Sequence, residues 1–175
     1  GDSAFRLLAS AYVRGHPPMQ RTLLLYGDRF AEFLAGVPEL SALPYLPDVA
    51  RLEYAWTRSY HAEDAAPLSQ SQLADIDPEA FDRVRLVPHP SMQCLASEFP
   101  VLRIWQSNQS DESGDSISLD EGPCRMALIR PQMQVETRSL GEGAFSFLGR
   151  LQAGASVEAA YSFAAAADAG FDLAD

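Results

Sequence analysis

Cys124-Arg125-Met126-Ala127-Leu128-Ile129-Arg130-Pro131-Gln132-Met133-Gln134-Val135-Glu136-Thr137-Arg138-Ser139-Leu140 decides the fold class. Two β-like runs, Cys124 to Arg130 and Met133 to Leu140, flank Pro131-Gln132, so the pattern predicts a hairpin. Upstream, Val84 to Ala96 is also β-like, with Pro88 and Pro90 restricting it to a sheet edge or a bulge. A short helix is expected from Pro100 to Asn108, presenting Val101, Ile104 and Trp105. Ser110 to Gly122 is polar and acidic and reads as a loop. Downstream, one helix runs from Glu142 to Ala153 and ends at Gly154. A second starts at a Ser156 cap and ends before Gly170. Asp172 has the look of a cap for a further helix.

Before residue 83 the character is helical. Asp2 or Ser3 can cap a helix with Phe5, Leu8 and Tyr12 on one face, ended by Gly15, Pro17 and Pro18. A second helix is expected from Leu24 to Ala35 with Phe30, Phe33 and Leu34 inward, stopped by Gly36 and Pro38. The longest runs from Pro44 to His61. Its stripe of Tyr45, Val49, Leu52, Trp56 and Tyr60 recurs every three or four residues and so lies on one face. Pro44 and Pro47 suit its first turn, where a missing N–H does no harm. A helical turn is expected at Pro78, after Asp77. The expected organisation is α+β: a helical domain over 1–82, then a mixed domain over 83–175 with strands first and helices last.

The chain of 175 residues carries 24 acids against 13 bases, all of them Arg, for a net charge of −11. Residues 1–82 hold 6 Arg against 12 acids and residues 83–175 hold 7 against 12, so the acidity is even. Nucleic-acid binders gain affinity by neutralising phosphates with clustered Lys and Arg, and neither half offers such a cluster. The longest apolar runs, such as Leu23 to Tyr26, are too short to span a bilayer, and no signal-peptide pattern opens the chain. Cys94 and Cys124 sit in apolar, strand-like stretches, where small buried thiols are the plain reading and a disulfide the alternative.

Catalytic constellations are missing. No Gly-x-Ser-x-Gly elbow occurs, neither cysteine has a thiol-catalysis context, and Gly141-Glu142-Gly143 lacks both the spacing and the Lys of a phosphate loop. His61-Ala62-Glu63-Asp64 superficially suggests metal ligands, but a helix pairs only His61 with Asp64, so a polar helix end is the better reading. His16 is a loop residue, and His89 stands between two prolines in a rigid extended segment. Trp56, Tyr60 and Trp105 read as core. The expectation is a non-catalytic protein without cofactor or metal.

Three segments together resemble a known bacterial family. They are Tyr26-Gly27-Asp28-Arg29-Phe30 with Phe33-Leu34; Leu43 to Glu53, which reads LPYLPDVARLE; and His89-Pro90-Ser91 leading to Ser97-Glu98-Phe99-Pro100-Val101, Ile104-Trp105 and Asn108-Gln109. The set is similar to the HvfC/BufC-type accessory proteins of ribosomal peptide maturation, a family with an older DNA-binding-domain label. That family has a further helical portion before the position of Gly1 and a closing helix after that of Asp175. The resemblance therefore implies a piece truncated at both ends. It also implies a winged-helix-like βββαα(α) second domain, and two partners: a multinuclear non-haem iron oxidase and the precursor peptide it modifies.

In such modules the peptide adds as a strand to a sheet edge, held by backbone hydrogen bonds and selected through alternate side chains. By position, Gln134, Val135, Glu136, Thr137 and Arg138 would form the receiving edge, although an ordinary edge strand reads the same way. Asp48 and Arg51 on the long helix, with His89, are the candidate oxidase contacts. The implied setting is cytoplasmic, with no membrane partner. A DNA-binding regulator is the alternative: Arg125, Arg130 and Arg138 on the hairpin favour it, while the Arg-free helix from Ser156 to Ala167 and the negative charge oppose it.

Overall fold

The computed structural model describes residues 2–19, 21–77, 80, 82–109 and 117–173. Among them the architecture is α+β, with seven α-helices and one three-stranded antiparallel sheet. The elements are α1 (Asp2–Gly15), α2 (Phe30–Ala35), α3 (Leu46–Tyr60), α4 (Gln70–Ala74), β1 (Gln93–Ser97), α5 (Val101–Ser107), β2 (Cys124–Ile129), β3 (Glu136–Ser139), α6 (Glu142–Gln152) and α7 (Val157–Ala167). The sheet order is β1-β2-β3, so the hairpin strand β2 is central.

Side chains alternate along β2, and each parity finds its own cover. Met126 and Leu128 are wholly buried against Leu52 and Ala55 of α3 and Val101 and Leu102 of α5, with Trp56 and Trp105 at the margin. Ala127 points the other way, to the face covered by α6. Behind α6 lies α7, whose Ala160 and Ala164 are fully buried and allow the two helices to approach closely. The sheet is therefore the middle of three layers. Its core crosses the junction between residues 82 and 83, because Leu52 and Ala55 share one apolar cluster with Met126 and Leu128.

Several elements differ from the sequence reading. The second helix begins at Phe30 rather than Leu24. Gly27 has φ +110, outside helical space, and Tyr26 N bonds Leu23 O at 3.0 Å to close a separate turn. Val84 to Ala96 forms a ladder only over Gln93–Ser97. Pro88 and Pro90 have no N–H to contribute. The earlier part of that segment is tied instead to the α6–α7 turn: Val157 N donates to Val84 O at 2.9 Å, and Arg85 donates to Gly154 O.

The hairpin connection is longer than Pro131-Gln132. A 3-10 turn over Pro131–Met133 places Gln132 and Met133 at φ +50 and +68, and β3 begins only at Glu136. α4 was not anticipated, although Ser69 and Gln72 form a reciprocal capping box. Tyr60, expected inward, is 44% exposed and stacks on Trp56 at 5.4 Å. The turn expected at Pro78 and most of the loop expected from Ser110 lie outside the described residues.

Because α3 and the sheet share one core, a cavity in α3 should loosen both. Leu52→Ala is expected to lose about 2–5 kcal/mol of stability. In urea unfolding, tryptophan fluorescence and far-UV circular dichroism should shift together; separate transitions would show that the two halves hold independently.

Candidate functional site

Among the described residues, β3 has a strand neighbour on one side only. Its register against β2 pairs Met126 with Ser139, Ala127 with Arg138, Leu128 with Thr137 and Ile129 with Glu136. The phase of the ladder follows from the bond that Leu140 N donates to Arg125 O at 2.8 Å. In an antiparallel pair, each residue turns its N–H and C=O to the same side and successive residues alternate. Glu136 and Arg138 therefore bond β2, while Thr137 and Ser139 turn their backbone groups to the open side.

The side chains divide just as regularly. Thr137 and Ser139 stand on the face shared with Met126 and Leu128, next to α3 and α5. Glu136 and Arg138 stand on the α6 face and pair with each other at 3.3 Å. Of the five residues expected to form the edge, Gln134 precedes the strand in extended conformation and Val135 packs on the core. The outward-facing backbone groups of the rim are thus those of Thr137 and Ser139. Sequence reasoning omitted Ser139 because the phase of a strand is fixed by its partner, not by its own residues.

One buried cation holds this hairpin to α3. Arg130, 5% exposed, directly follows β2. Its Nε donates to Ser59 O at 3.1 Å, and its Nη2 donates to Ala62 O at 2.7 Å and to Asp64 Oδ1 at 2.8 Å. Nη1 points to Met133 Sδ at 3.0 Å. Ser59 lies in the last turn of α3 and Ala62 just past its end, where unsatisfied carbonyls concentrate negative partial charge and favour a cation. Ser91 extends the network: its Oγ accepts Arg130 N at 2.9 Å, and its carbonyl accepts Ser59 Oγ at 2.6 Å.

No family model, curated protein or solved structure matches this chain.

The three candidate oxidase contacts are not brought together. Asp48 pairs with Arg51 and accepts Ser97 Oγ at 2.6 Å, at the start of α3 beside β1. His89 belongs to the other end: its Nδ1 lies 2.8 Å from Ser91 Oγ, and its Nε2 accepts Ala65 N at 3.2 Å. The eleven helical steps from Asp48 to Ser59 separate these ends by about 16 Å. Its half-buried ring thus knits the chain after α3 to the segment before β1.

The hairpin arginines are likewise engaged. Arg125 faces Glu142 at 3.6 Å, Arg138 faces Glu136, and Arg130 is buried on α3. Among the described residues, no three His, Cys, Asp or Glu side chains converge as a metal site, and no helix is long and apolar enough to cross a membrane. Cys94 and Cys124 are free thiols. Cys124 is paired with Ser97 rather than Cys94, and three strand residues amount to about 10 Å, beyond disulfide reach.

Two measurements test these assignments. Arg130→Met should cost about 3 kcal/mol in denaturant unfolding, since two helix-end carbonyls lose a charged donor. Asp64→Asn should cost under about 1 kcal/mol, because that carboxylate is 80% exposed. Burial pushes the Cys94 thiol up, so folding favours its protonated form. That contribution is present below the ordinary thiol range and fades as pH climbs through the raised folded value. In a Cys124→Ser background, alkylation of native Cys94 should therefore begin at higher pH than in urea.

Proposed function

We propose that the chain is a non-catalytic, cytoplasmic accessory protein that holds an extended segment of a precursor peptide along β3 for a partner iron-dependent oxidase. The supporting observation is the one-sided pairing of β3, with Thr137 and Ser139 directing backbone donors and acceptors away from β2. An added strand would complete those hydrogen bonds, while the neutral Thr137 and Ser139 side chains and the charged Glu136 and Arg138 side chains would contact its two faces separately. The identity of the oxidase partner rests on the family resemblance of the three sequence segments.

The regulator reading finds less support. Each hairpin arginine that favoured it is paired with a carboxylate, and Arg130 is buried as well. A net charge of −11 adds long-range repulsion toward phosphates.

Proline substitution separates the two sides of β3. Thr137→Pro removes an outward N–H and should leave the β2 ladder intact, as proline is tolerated on an edge whose N–H faces solvent. Arg138→Pro removes a ladder bond and should destabilise the hairpin. Titrating the precursor peptide calorimetrically, Thr137→Pro is expected to weaken binding at least about tenfold, as lost main-chain hydrogen bonds accumulate, with the melting temperature nearly unchanged. Peptide binding unaffected by Thr137→Pro would refute the β3 site. Sequence-selective DNA binding with no capture of peptide or oxidase would refute the function.

A further inference from the structure

α1, residues 16–19 and 21–29, and α3 enclose a cleft of about 480 Å³. Its walls include Tyr12, His16, Tyr26, Asp28, Arg29 and Tyr54. Two of the phenols are spent on main-chain carbonyls: Tyr26 Oη donates to His16 O at 2.6 Å, and Tyr54 Oη donates to Leu25 O at 3.2 Å. These bonds fasten the loop across the cleft and leave the rings as its lining. The His16 ring stacks on Tyr12 at 4.8 Å, with 15° between their planes. Its Nδ1 is buried and has no hydrogen-bond partner among the described residues. Buried polar atoms are normally satisfied, so this one calls for a ligand or water.

The cleft wall carries one carboxylate, Asp28, and one cation, Arg29. Asp28 makes neither a hydrogen bond nor an ion pair among the described residues, whereas Arg29 is drawn to Glu32 at 3.5 Å on the first turn of α2. Burial above all, with the Asp28 charge adding to it and Arg29 or Arg58 opposing it, holds Tyr12 and Tyr54 above the usual tyrosine range.

We infer that this cleft binds a guanidinium group, with His16 Nδ1 and the Asp28 carboxylate accepting its N–H donors and the tyrosine rings flanking its plane. A guanidinium is a planar fork of five donors with no acceptor, and it stacks on aromatic faces. An ammonium is a compact, strongly hydrated point charge and suits flat aromatic walls less well. A neutral ligand would leave the Asp28 carboxylate without the charged donor that a guanidinium brings. The guanidinium can arrive on a free arginine-like metabolite or on an arginine side chain of a polypeptide.

The test titrates the whole chain, followed by tyrosine and histidine NMR shifts, with acetyl-arginine amide and with an alanine tetrapeptide carrying one arginine. Matched citrulline and lysine probes serve as controls. At least one arginine probe should saturate, and both citrulline probes should bind at least about tenfold more weakly, the loss expected for a charge-assisted hydrogen bond. Saturation by the amide alone identifies a metabolite site, and saturation by the peptide alone a side-chain site. Asp28→Asn should weaken binding by a similar factor, His16→Phe should weaken it while keeping the stack, and Arg29→Gln should strengthen it. Melting temperatures establish that each variant is folded. Absence of saturation at millimolar arginine probe, equal binding of citrulline or lysine, or indifference to Asp28→Asn would overturn the inference. None of these outcomes bears on β3.

Discussion

The guanidinium of Arg130 is the constraint to which the other contacts defer. A charge placed in a protein interior needs compensation from every side. Arg130 finds most of it in two carbonyls at the negative end of α3, with only a marginal contribution from the solvent-facing Asp64. Its own backbone N–H is held by Ser91, which also receives Ser59. The C-terminal end of α3, the segment entering β1 and the residue leaving β2 are thus fixed at one point. The apolar cluster of Leu52, Val101, Met126 and Leu128 decides that α3 lies against the sheet. The polar network decides where along the sheet it stops.

That arrangement covers both faces of β2 yet leaves β3 a one-sided partner. α3 and α5 occupy one face and α6 the other. The adjacent opposite charges of Glu136 and Arg138 protect such a rim from indiscriminate pairing, since an approaching apolar strand would have to desolvate them. Elsewhere most of the arginines that could have formed a basic surface are tied to acids or carbonyls. The outward field is therefore that of the surplus carboxylates.

Much of this was legible in the residues. The stripe from Tyr45 to Trp56, the Ser156 cap and the alternation of Met126 and Leu128 each state a local rule that tertiary packing obeys. What could not be read was whatever depends on a partner far along the chain. Arg130 looked like a hairpin base for phosphate, because nothing in its neighbourhood announces Ser59 or Ala62, about seventy positions earlier. His89 likewise looked available until Ala65 and Ser91 were found on its two nitrogens. The late start of α2 had a local cause, Gly27, whose freedom of φ is invisible within an apolar period that runs through it. The hairpin connection was misjudged for a related reason: Gln132 and Met133 adopt positive φ without being glycine or asparagine, so composition gave no warning.

The alternation along β3 carries a further consequence. Only every second residue offers hydrogen bonds outward, so any guest chain laid there is restricted to shifts of two residues at a time. A slip of one would strand its amides opposite Glu136 and Arg138, whose own groups are already committed to β2, and would exchange the guest's upper and lower side chains. If a peptide adds there as proposed, four residues of edge strand would act as a parity filter, admitting a sequence by the spacing of its side chains before any one of them is inspected.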